Sequence, residues 1–245
     1  MIILFSPSEG KREGGILPPL TQQSLLFPEL YPKRLAVIEQ YQTLTQQGSD
    51  EELYELFGIK ETKEYGRYKH PFATVPTMKA IERYDGVAYD YLTYTQLTLQ
   101  AQAYIDTHTI IFSNLFGPIR AGDAIPDYKL KQGASIGSFL PDKHYKEGFS
   151  DALNEMIGDH EILDLRAGYY DKFYIPRKQC VTLKFLKGGK VVSHWAKAYR
   201  GTLLREAALH QVRSIQELLA LNIEGLFLSE IVETKKKKEV IYTIV

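Results

Sequence analysis

The chain has 245 residues, 44% of them hydrophobic, which is enough to bury a core as one large domain or two small ones. Thirty Lys and Arg residues balance thirty Asp and Glu residues, so no protein-wide positive field gathers polyanions, and any nucleic-acid site must be a local patch. Cys180 is the only cysteine, which excludes an intrachain disulfide and multi-cysteine metal clusters and favours a reducing compartment, the cytoplasm.

The first half of the chain alternates between strand and helix patterns. Its apolar start predicts a buried strand at Ile2–Phe5, followed by an irregular loop rich in Gly and Pro over 6–20. TIIFS at 109–113 predicts a second strand, and Asp85 and Gly86 form a turn between helical segments. The helices predicted here cover 33–47, 50–57, 77–84 and 95–107.

The second half ends in strands that follow each other closely. Gly188 and Gly189 lie between CVTLKFL and KVVSHWAK, which predicts a hairpin, and GLFLSEIV with EVIYTIV predicts a closing hairpin. The other elements predicted here are helices over 143–157 and 198–213 and a strand over 161–166. Without a strict βαβ rhythm, the pattern predicts a mixed α/β (α+β) fold, one domain over 1–245, with a mixed central sheet and surrounding helices.

The signatures of common cofactors and metals are missing from the sequence. SPSEGK has a Gly and a Lys but lacks the spacing of a P-loop, and neither GxGxxG nor GxSxG occurs. The six histidines form no HxH or HxxxH pair. We therefore expect no cofactor and no metal site, and no apolar run approaches the ~18 residues of a membrane helix.

Two charged stretches follow predicted strands in the first half. The opening loop places Ser8, Glu9 and Lys11 just past the first strand, where open α/β sheets tend to bind ligands. Residues 112–130 run from a strand into a tight turn and then into a series of charged and polar side chains. Turns of this kind aim backbone N–H groups at phosphates or carboxylates; the alternative is that Arg120 and Asp123 pair with each other. The candidates here are Asn114, Gly117, Arg120, Asp123, Tyr128 and Lys129.

Two further charged stretches lie in the second half. Asp164 and Arg166 share one face of a predicted strand, where two charges are costly unless they pair or face a cleft. On the predicted helix, Lys197, Gly201 and Arg205 fall on one stripe, with Arg200 adjacent. A glycine inside a helix commonly marks a close approach by a backbone or a ligand. The structural alternatives are an internal Asp–Arg pair and a solvated basic helix face.

Two other features receive structural interpretations. The lysine run at 234–239 lies between strand-like segments, where a hairpin needs solvated residues and an edge strand gains protection, with a nucleic-acid role as the alternative. His194 is interpreted as a packed or surface imidazole rather than a base.

The four charged stretches together resemble one protein family. SPSEGKREGG, LFGPIRAGDAIPDYKL, ILDLRAGYY and AKAYRG occur in this order and with similar spacing in the YaaA family of bacterial peroxide stress resistance proteins. The resemblance spans nearly the whole chain. It implies a single-domain cytoplasmic α/β protein of uncommon fold, with a positively lined cleft and a role in limiting oxidative damage.

The resemblance also implies DNA binding through an element similar to a helix-hairpin-helix, corresponding here to residues 113–120. Such turns usually carry two glycines, whereas this chain has Asn114 at the earlier place and only Gly117. Asn tolerates the left-handed region better than most residues, but the preceding TIIFS is typical of a strand.

Two functional hypotheses and a structural one follow from this pattern. The first is a protein that contacts the phosphates of duplex or damaged DNA. The second is an enzyme acting on a small anionic or nucleotide-like substrate, with Glu9 or Asp164 as proton carrier and Arg120, Arg166 and Lys197 holding charge. The third treats the charges as internal ion pairs. An open basic groove favours DNA, and a deep pocket with Glu9 at its base favours catalysis.

Overall fold

A computed structural model describes residues 1–235 and 237–245, without the side chains of Ser193 and His194. The interpretation of His194 and the part of the lysine run at Lys236 therefore lie outside the described residues.

Strands and helices are interspersed along the described chain, as the sequence predicts. The strands are β1 (Ile2–Phe5), β2 (Gly10–Lys11), β3 (Met78–Lys79), β4 (Tyr84–Asp85), β5 (Thr109–Ser113), β6 (Gly117–Arg120), β7 (Ala124–Ile125), β8 (Ile162–Asp164), β9 (Cys180–Lys187), β10 (Lys190–Val191), β11 (Leu226–Glu233) and β12 (Lys237–Ile244). The helices are α1 (Tyr31–Gln47), α2 (Asp50–Phe57), α3 (Ala80–Arg83), α4 (Val87–Leu92), α5 (Leu99–His108), α6 (Pro141–Ile157), α7 (Ser193–Leu209) and α8 (Ile215–Ala220).

One mixed sheet joins the first strand of the chain to the last. Its order is β11, β12, β9, β8, β1, β5, β6, with β10 paired to β9. The pairs from β12 to β5 are parallel, whereas β11 with β12, β5 with β6, and β10 with β9 are antiparallel. The predicted mixed α/β architecture with a central mixed sheet is confirmed.

The carboxyl ends of the central parallel strands meet at one edge of this sheet. Phe5 of β1 pairs with Ile111 of β5, and Leu4 pairs with Asp164 of β8. The chain therefore leaves β1, β5 and β8 side by side, at Ser6, Asn114 and Leu165. We call this the carboxyl edge.

Helices cover the apolar strands and bring further groups to this edge. Ile3, Leu4, Phe112 and Leu163 are fully buried, as expected for central parallel strands. Helix α7 packs against α4, α5 and β9, while α6 packs against β6. The amino-terminal halves of α7 and α4 thereby reach the carboxyl edge.

Two predicted elements differ from the observed ones. The helix expected over 77–84 is only the single turn α3, because Met78–Lys79 and Tyr84–Asp85 pair with strands β7 and β2. The strand expected at 190–197 pairs with β9 for only two residues, and α7 then begins at Ser193. In both places, contacts with distant segments outweigh the local pattern.

Residues 113–120 belong to a β-hairpin, so the helix-hairpin-helix expectation is wrong. Ser113 pairs with Gly117 across the turn, and the Ser113 hydroxyl accepts hydrogen bonds from the amides of Leu115 and Phe116 at 3.2 and 3.0 Å. The β-branched and aromatic residues of TIIFS favour a strand over a helix. Gly117 has φ of +69°, and a Cβ atom there would lie 2.2 Å from the ring of Tyr145. This glycine is required by packing.

Candidate functional site

A cleft of about 510 Å³ opens at the carboxyl edge, beside the ends of β1 and β8. The opening loop forms one wall, α4 a second and α7 a third. The polar side chains in its lining belong to Ser6, Ser8, Glu9, Tyr89, Gln132, Tyr170, Lys197 and Arg200. Four of the predicted candidates, Ser8, Glu9, Lys197 and Arg200, are therefore brought together here.

Hydrogen bonds from distant segments hold the opening loop in place. The Ser6 hydroxyl accepts from the amide of Ala167 at 2.8 Å, and the Tyr89 hydroxyl donates to the carbonyl of Ser6 at 2.9 Å. The Ser8 hydroxyl donates to the carbonyl of Asp85. These contacts hold the loop against β8 and α4, and so fix the wall of the cleft that the loop forms.

Lys197 and Arg200 supply positive charge from α7. They are three residues apart, so they lie on one face of the helix. Lys197 is exposed and Arg200 is half-buried. Burial lowers the pKa of Arg200, partly offset by Asp164. Among the described residues, neither side chain makes a salt bridge or a hydrogen bond within the protein.

Gly201 brings α7 close to α4. A Cβ atom at this position would lie 1.9 Å from the carbonyl oxygen of Ala88. Because Ala88 and Arg200 both line the cleft, this helix contact sets its width. The close backbone approach predicted for this glycine is confirmed.

Glu9 lies at the rim of the cleft, with about half of its side chain exposed. Its carboxylate accepts a hydrogen bond from the amide of Gln132 at 3.0 Å and lies 3.5 Å from the Nζ atom of Lys129. It thus ties the segment after β7 to the opening loop. This position differs from the base of a deep pocket, where the enzyme hypothesis placed it.

Lys11 lies behind the cleft wall on a cluster of tyrosines. Its Nζ atom is 4.1 Å from the ring centroid of Tyr128 and donates to the carbonyls of Ser8 and Glu9 at 3.2 and 3.4 Å. Burial, together with the charge of Lys129, lowers the pKa of Lys11 to about 7. The amine is therefore partly neutral at neutral pH.

Three buried hydroxyl groups beneath Lys11 are joined by hydrogen bonds. The hydroxyl of Tyr128 hydrogen-bonds to that of Tyr84 at 2.8 Å and to that of Ser113 at 2.9 Å. Burial raises the pKa of both tyrosines. Tyr128 therefore supports Lys11 from below and is not exposed to the cleft.

Asp164 and Arg166 form a buried internal pair. Arg166 donates through Nε and Nη2 to the two carboxylate oxygens of Asp164, at 2.9 and 2.7 Å. Its Nη1 atom donates to the carbonyls of Tyr170 and Tyr174 at 3.0 Å each. The geometry favours the structural alternative for these two residues, and a ligand-binding or proton-transfer role stays a prediction.

Arg120 and Asp123 lie far from the cleft. Arg120 pairs with Ile110, near the beginning of β5, so it lies at the opposite edge of the sheet. Asp123 accepts hydrogen bonds from the amides of Leu26 and Arg120 at 2.7 and 2.9 Å. Burial raises its pKa to about 6. Arg120 and Asp123 therefore do not share the cleft with Lys197 and Arg200, and their ligand-binding role stays a prediction.

The remaining candidates occupy other places. Arg205 lines a depression on the other side of α7, with Tyr91 and Trp195. Asn114 lines a smaller cavity at the end of β5. Neither Arg205 nor Asn114 lines the cleft.

Sequence reasoning did not single out four polar groups of the cleft, those of Ser6, Tyr89, Gln132 and Tyr170. Tyr89 follows the Asp85-Gly86 turn, and this turn is the one local signal that marks its segment. Tyr170 ends the quoted motif ILDLRAGYY but was not chosen as a candidate, and Gln132 lies two residues beyond the end of LFGPIRAGDAIPDYKL.

Two further properties bear on the class of protein. Within residues 1–235 and 237–245, no three His, Cys, Asp or Glu side chains cluster as metal ligands would. The described helices include none that is long and apolar enough to cross a bilayer.

Comparison with known proteins decides the family. The profile of the peroxide stress protein YaaA family matches residues 1–231. The chain belongs to the YaaA family. It is 49% identical over 244 residues to an uncharacterized protein of Campylobacter jejuni, covering 100% of this chain and 99% of that one.

More distant relatives in the YaaA family are described only as UPF0246 proteins. One from Corynebacterium efficiens is 35% identical and covers 85% of each chain. Another, from Streptomyces coelicolor, is 32% identical over 84% of this chain and 82% of its own. The family description supports a role in the peroxide stress response.

Proposed function

We propose that this YaaA-family chain is a cytoplasmic peroxide stress protein whose cleft binds a small anionic ligand carrying a phosphate, such as a nucleotide. One observation carries the proposal: the guanidinium of Arg200 lines the cleft, half-buried, and no described carboxylate lies within salt-bridge distance of it. A partly buried charge without a counterion is costly, so an anion that pairs with it gains affinity.

The other groups of the cleft fit such a ligand. Lys197 adds a second cation at the rim, and Glu9 is the one acidic side chain of the lining, so the lining carries a net positive charge. The volume of about 510 Å³ lies within the ~300–1,000 Å³ typical of small-molecule sites. Tyr89 and Tyr170 provide apolar ring surface beside the charges. An enzymatic reaction on this ligand would need a proton carrier, and Glu9 is the candidate at the rim.

DNA binding is the second candidate, and a different surface favours it. The Nζ atom of Lys187 lies 4.8 Å from the ring of Trp195, and Lys190 pairs with Lys187 across the short hairpin. Exposed aromatic rings beside lysines suit stacking and phosphate contacts with nucleic acid. DNA contact would then use this hairpin and not residues 113–120.

Fluorescence anisotropy distinguishes the two candidates. A labelled mononucleotide and a labelled duplex are titrated with the protein, with Arg200→Gln and with Arg213→Gln, an exposed arginine outside the cleft, as the matched control. We expect Arg200→Gln to weaken nucleotide binding at least tenfold and Arg213→Gln to leave it unchanged. Nucleotide affinity that is equal in all three proteins would contradict the proposal.

The duplex is titrated across a salt series with Lys187→Ala/Lys190→Ala as a further variant. DNA binding predicts an affinity that falls with salt, with a slope near −0.9 per phosphate neutralised, and that falls again in this variant. A duplex affinity that changes neither with salt nor in the Lys187→Ala/Lys190→Ala variant would exclude DNA binding by this hairpin.

A further inference from the structure

A second, smaller cavity lies at the end of β5, separate from the cleft. Its volume is about 170 Å³, against about 510 Å³ for the cleft. This is below the ~300–1,000 Å³ typical of small-molecule sites, so the cavity suits a small ion better than a nucleotide. Its wall includes Asn114, Lys131, Lys143, Tyr169, Lys172 and Phe173.

Asn114 provides an unsatisfied polar group in this cavity. The residue is only 7% exposed, and its Oδ1 atom has no hydrogen-bond partner among the described residues. A buried acceptor without a partner costs about 1–3 kcal/mol. Since such groups are nearly always paired in folded proteins, the amide marks a place where a ligand or water donates a hydrogen bond.

The charges around the cavity favour an anion. Within the described part of the chain, no carboxylate lies within salt-bridge distance of Lys131, Lys143 or Lys172. One carboxylate, that of Asp142, lines the cavity, and it accepts the amide of Lys143 at 2.8 Å. Three cations against one carboxylate leave the lining with a net charge of about +2.

The first turn of α6 adds to this field. The helix has 17 residues, and its preceding residue, Leu140, offers no side-chain cap. The amino end of a helix carries the positive end of its dipole and attracts anions. Leu140, Asp142 and Lys143 all line the cavity, so this end of α6 forms part of its wall.

We propose that this cavity is a second anion site, which binds a small anion that carries a hydroxyl group, with hydrogen phosphate as the simplest example. The lysines and the end of α6 attract its charge, and its P–OH group donates to Oδ1 of Asn114. The cavity adjoins the cleft but shares no lining residue with it: Gln132 and Tyr170 line the cleft, while Gly133 and Tyr169 line this cavity.

Calorimetric titration with inorganic phosphate tests the site independently of the cleft. It is carried out on the protein carrying Arg200→Gln, in which the cleft is impaired, and again after adding Lys143→Gln/Lys172→Gln or the matched exposed pair Lys60→Gln/Lys69→Gln. We expect phosphate to bind the first protein, to bind at least tenfold more weakly when Lys143 and Lys172 are replaced, and to be unaffected by the control pair. Phosphate binding that is absent from the Arg200→Gln protein, or equal in all three, would overturn the proposal.

The role of Asn114 has its own readout in the Arg200→Gln protein, in which the cleft is impaired. Sulfate resembles phosphate in shape and charge but has no proton to donate at neutral pH. We therefore expect phosphate to bind several-fold more tightly than sulfate, and Asn114→Ala to reduce this preference because the accepting Oδ1 atom is removed. Equal affinity for sulfate and phosphate would contradict the contact with Asn114 even if the variant fails to fold.

Discussion

Lys11 and the Asp164–Arg166 pair show how much a single charge depends on its surroundings. Strand alternation predicts that Asp164 and Arg166 share a face, but it does not reveal whether their partner is a ligand or each other. Arg166 pairs with Asp164 in an arrangement that also needs the carbonyls of Tyr170 and Tyr174, which accept hydrogen bonds from its Nη1 atom. Those carbonyls come close to Arg166 only through the fold of the segment that follows β8. The burial of Lys11 depends likewise on Tyr128, more than a hundred residues away.

The lowered pKa of Lys11 makes stability depend on pH. Between about 7 and 10.5, the unfolded chain holds a proton that the folded amine has lost, so the free energy of unfolding rises with pH in this window. Below about pH 7 the amine is protonated in the folded state as well, so the burial of its charge lowers the free energy of unfolding by its full amount. We expect Lys11→Met to remove this rise, as measured by urea unfolding at several pH values. An unchanged slope between pH 7 and 10 would show that Lys11 is not the group responsible.

Breaking the buried ion pair should be costly. In Arg166→Met, the carboxylate of Asp164 loses its counterion while it stays buried, which costs about 3–5 kcal/mol of unfolding free energy. Chemical denaturation measures the loss. A cost below about 1 kcal/mol would contradict a structural role and return Arg166 to the list of ligand-binding candidates.

Cys180 is expected to be a poor target for peroxide. It is buried in β9, and burial raises the pKa of its thiol to about 11, so the reactive thiolate is scarce at neutral pH. Mass spectrometry after brief peroxide treatment of the folded protein should find Cys180 reduced. Oxidation as fast as that of a free thiol would contradict this.

At the scale of elements, the helices and strands with strong local patterns were predictable and the short pieces were not. TIIFS and the closing hairpin carry enough β-branched and aromatic residues to specify strands on their own. Strands β3, β4 and β10 have only two residues each and exist because distant partners pair with them. The beginning of α7 was missed because Val191 and Val192 carry the strand pattern of β10 up to the first helical residue.

The contact between α4 and α7 gives a test at this scale. A methyl group in Gly201→Ala would collide with the carbonyl of Ala88 and force the helices apart, at a cost of about 1–3 kcal/mol. Ligand affinity should fall as well, because Ala88 and Arg200 move with the helices. Gly66→Ala, where an added Cβ meets nothing within 4 Å, serves as the control. Equal stability of the two variants would show that the contact does not set the width of the cleft.

At the scale of the whole molecule, the central sheet brings residues that are distant in the sequence together at its carboxyl edge. The sequence predicted that strand ends would carry a site, and Ser8, Glu9, Lys197 and Arg200 do meet there. It did not predict that Arg120 and Asp123 lie at the opposite edge, since β6 runs antiparallel to β5 and carries them away. The direction of a strand follows from pairing across the sheet, which no local spacing encodes.

Binding of a phosphate-bearing ligand in the cleft is tested by amide hydrogen exchange with and without a saturating mononucleotide. We expect slower exchange at three separate segments that line the cleft, 6–9, 86–89 and 197–201, and little change at 120–123 on the opposite edge. Protection confined to the hairpin around 187–190, or no protection at all in a protein that binds the nucleotide, would contradict it.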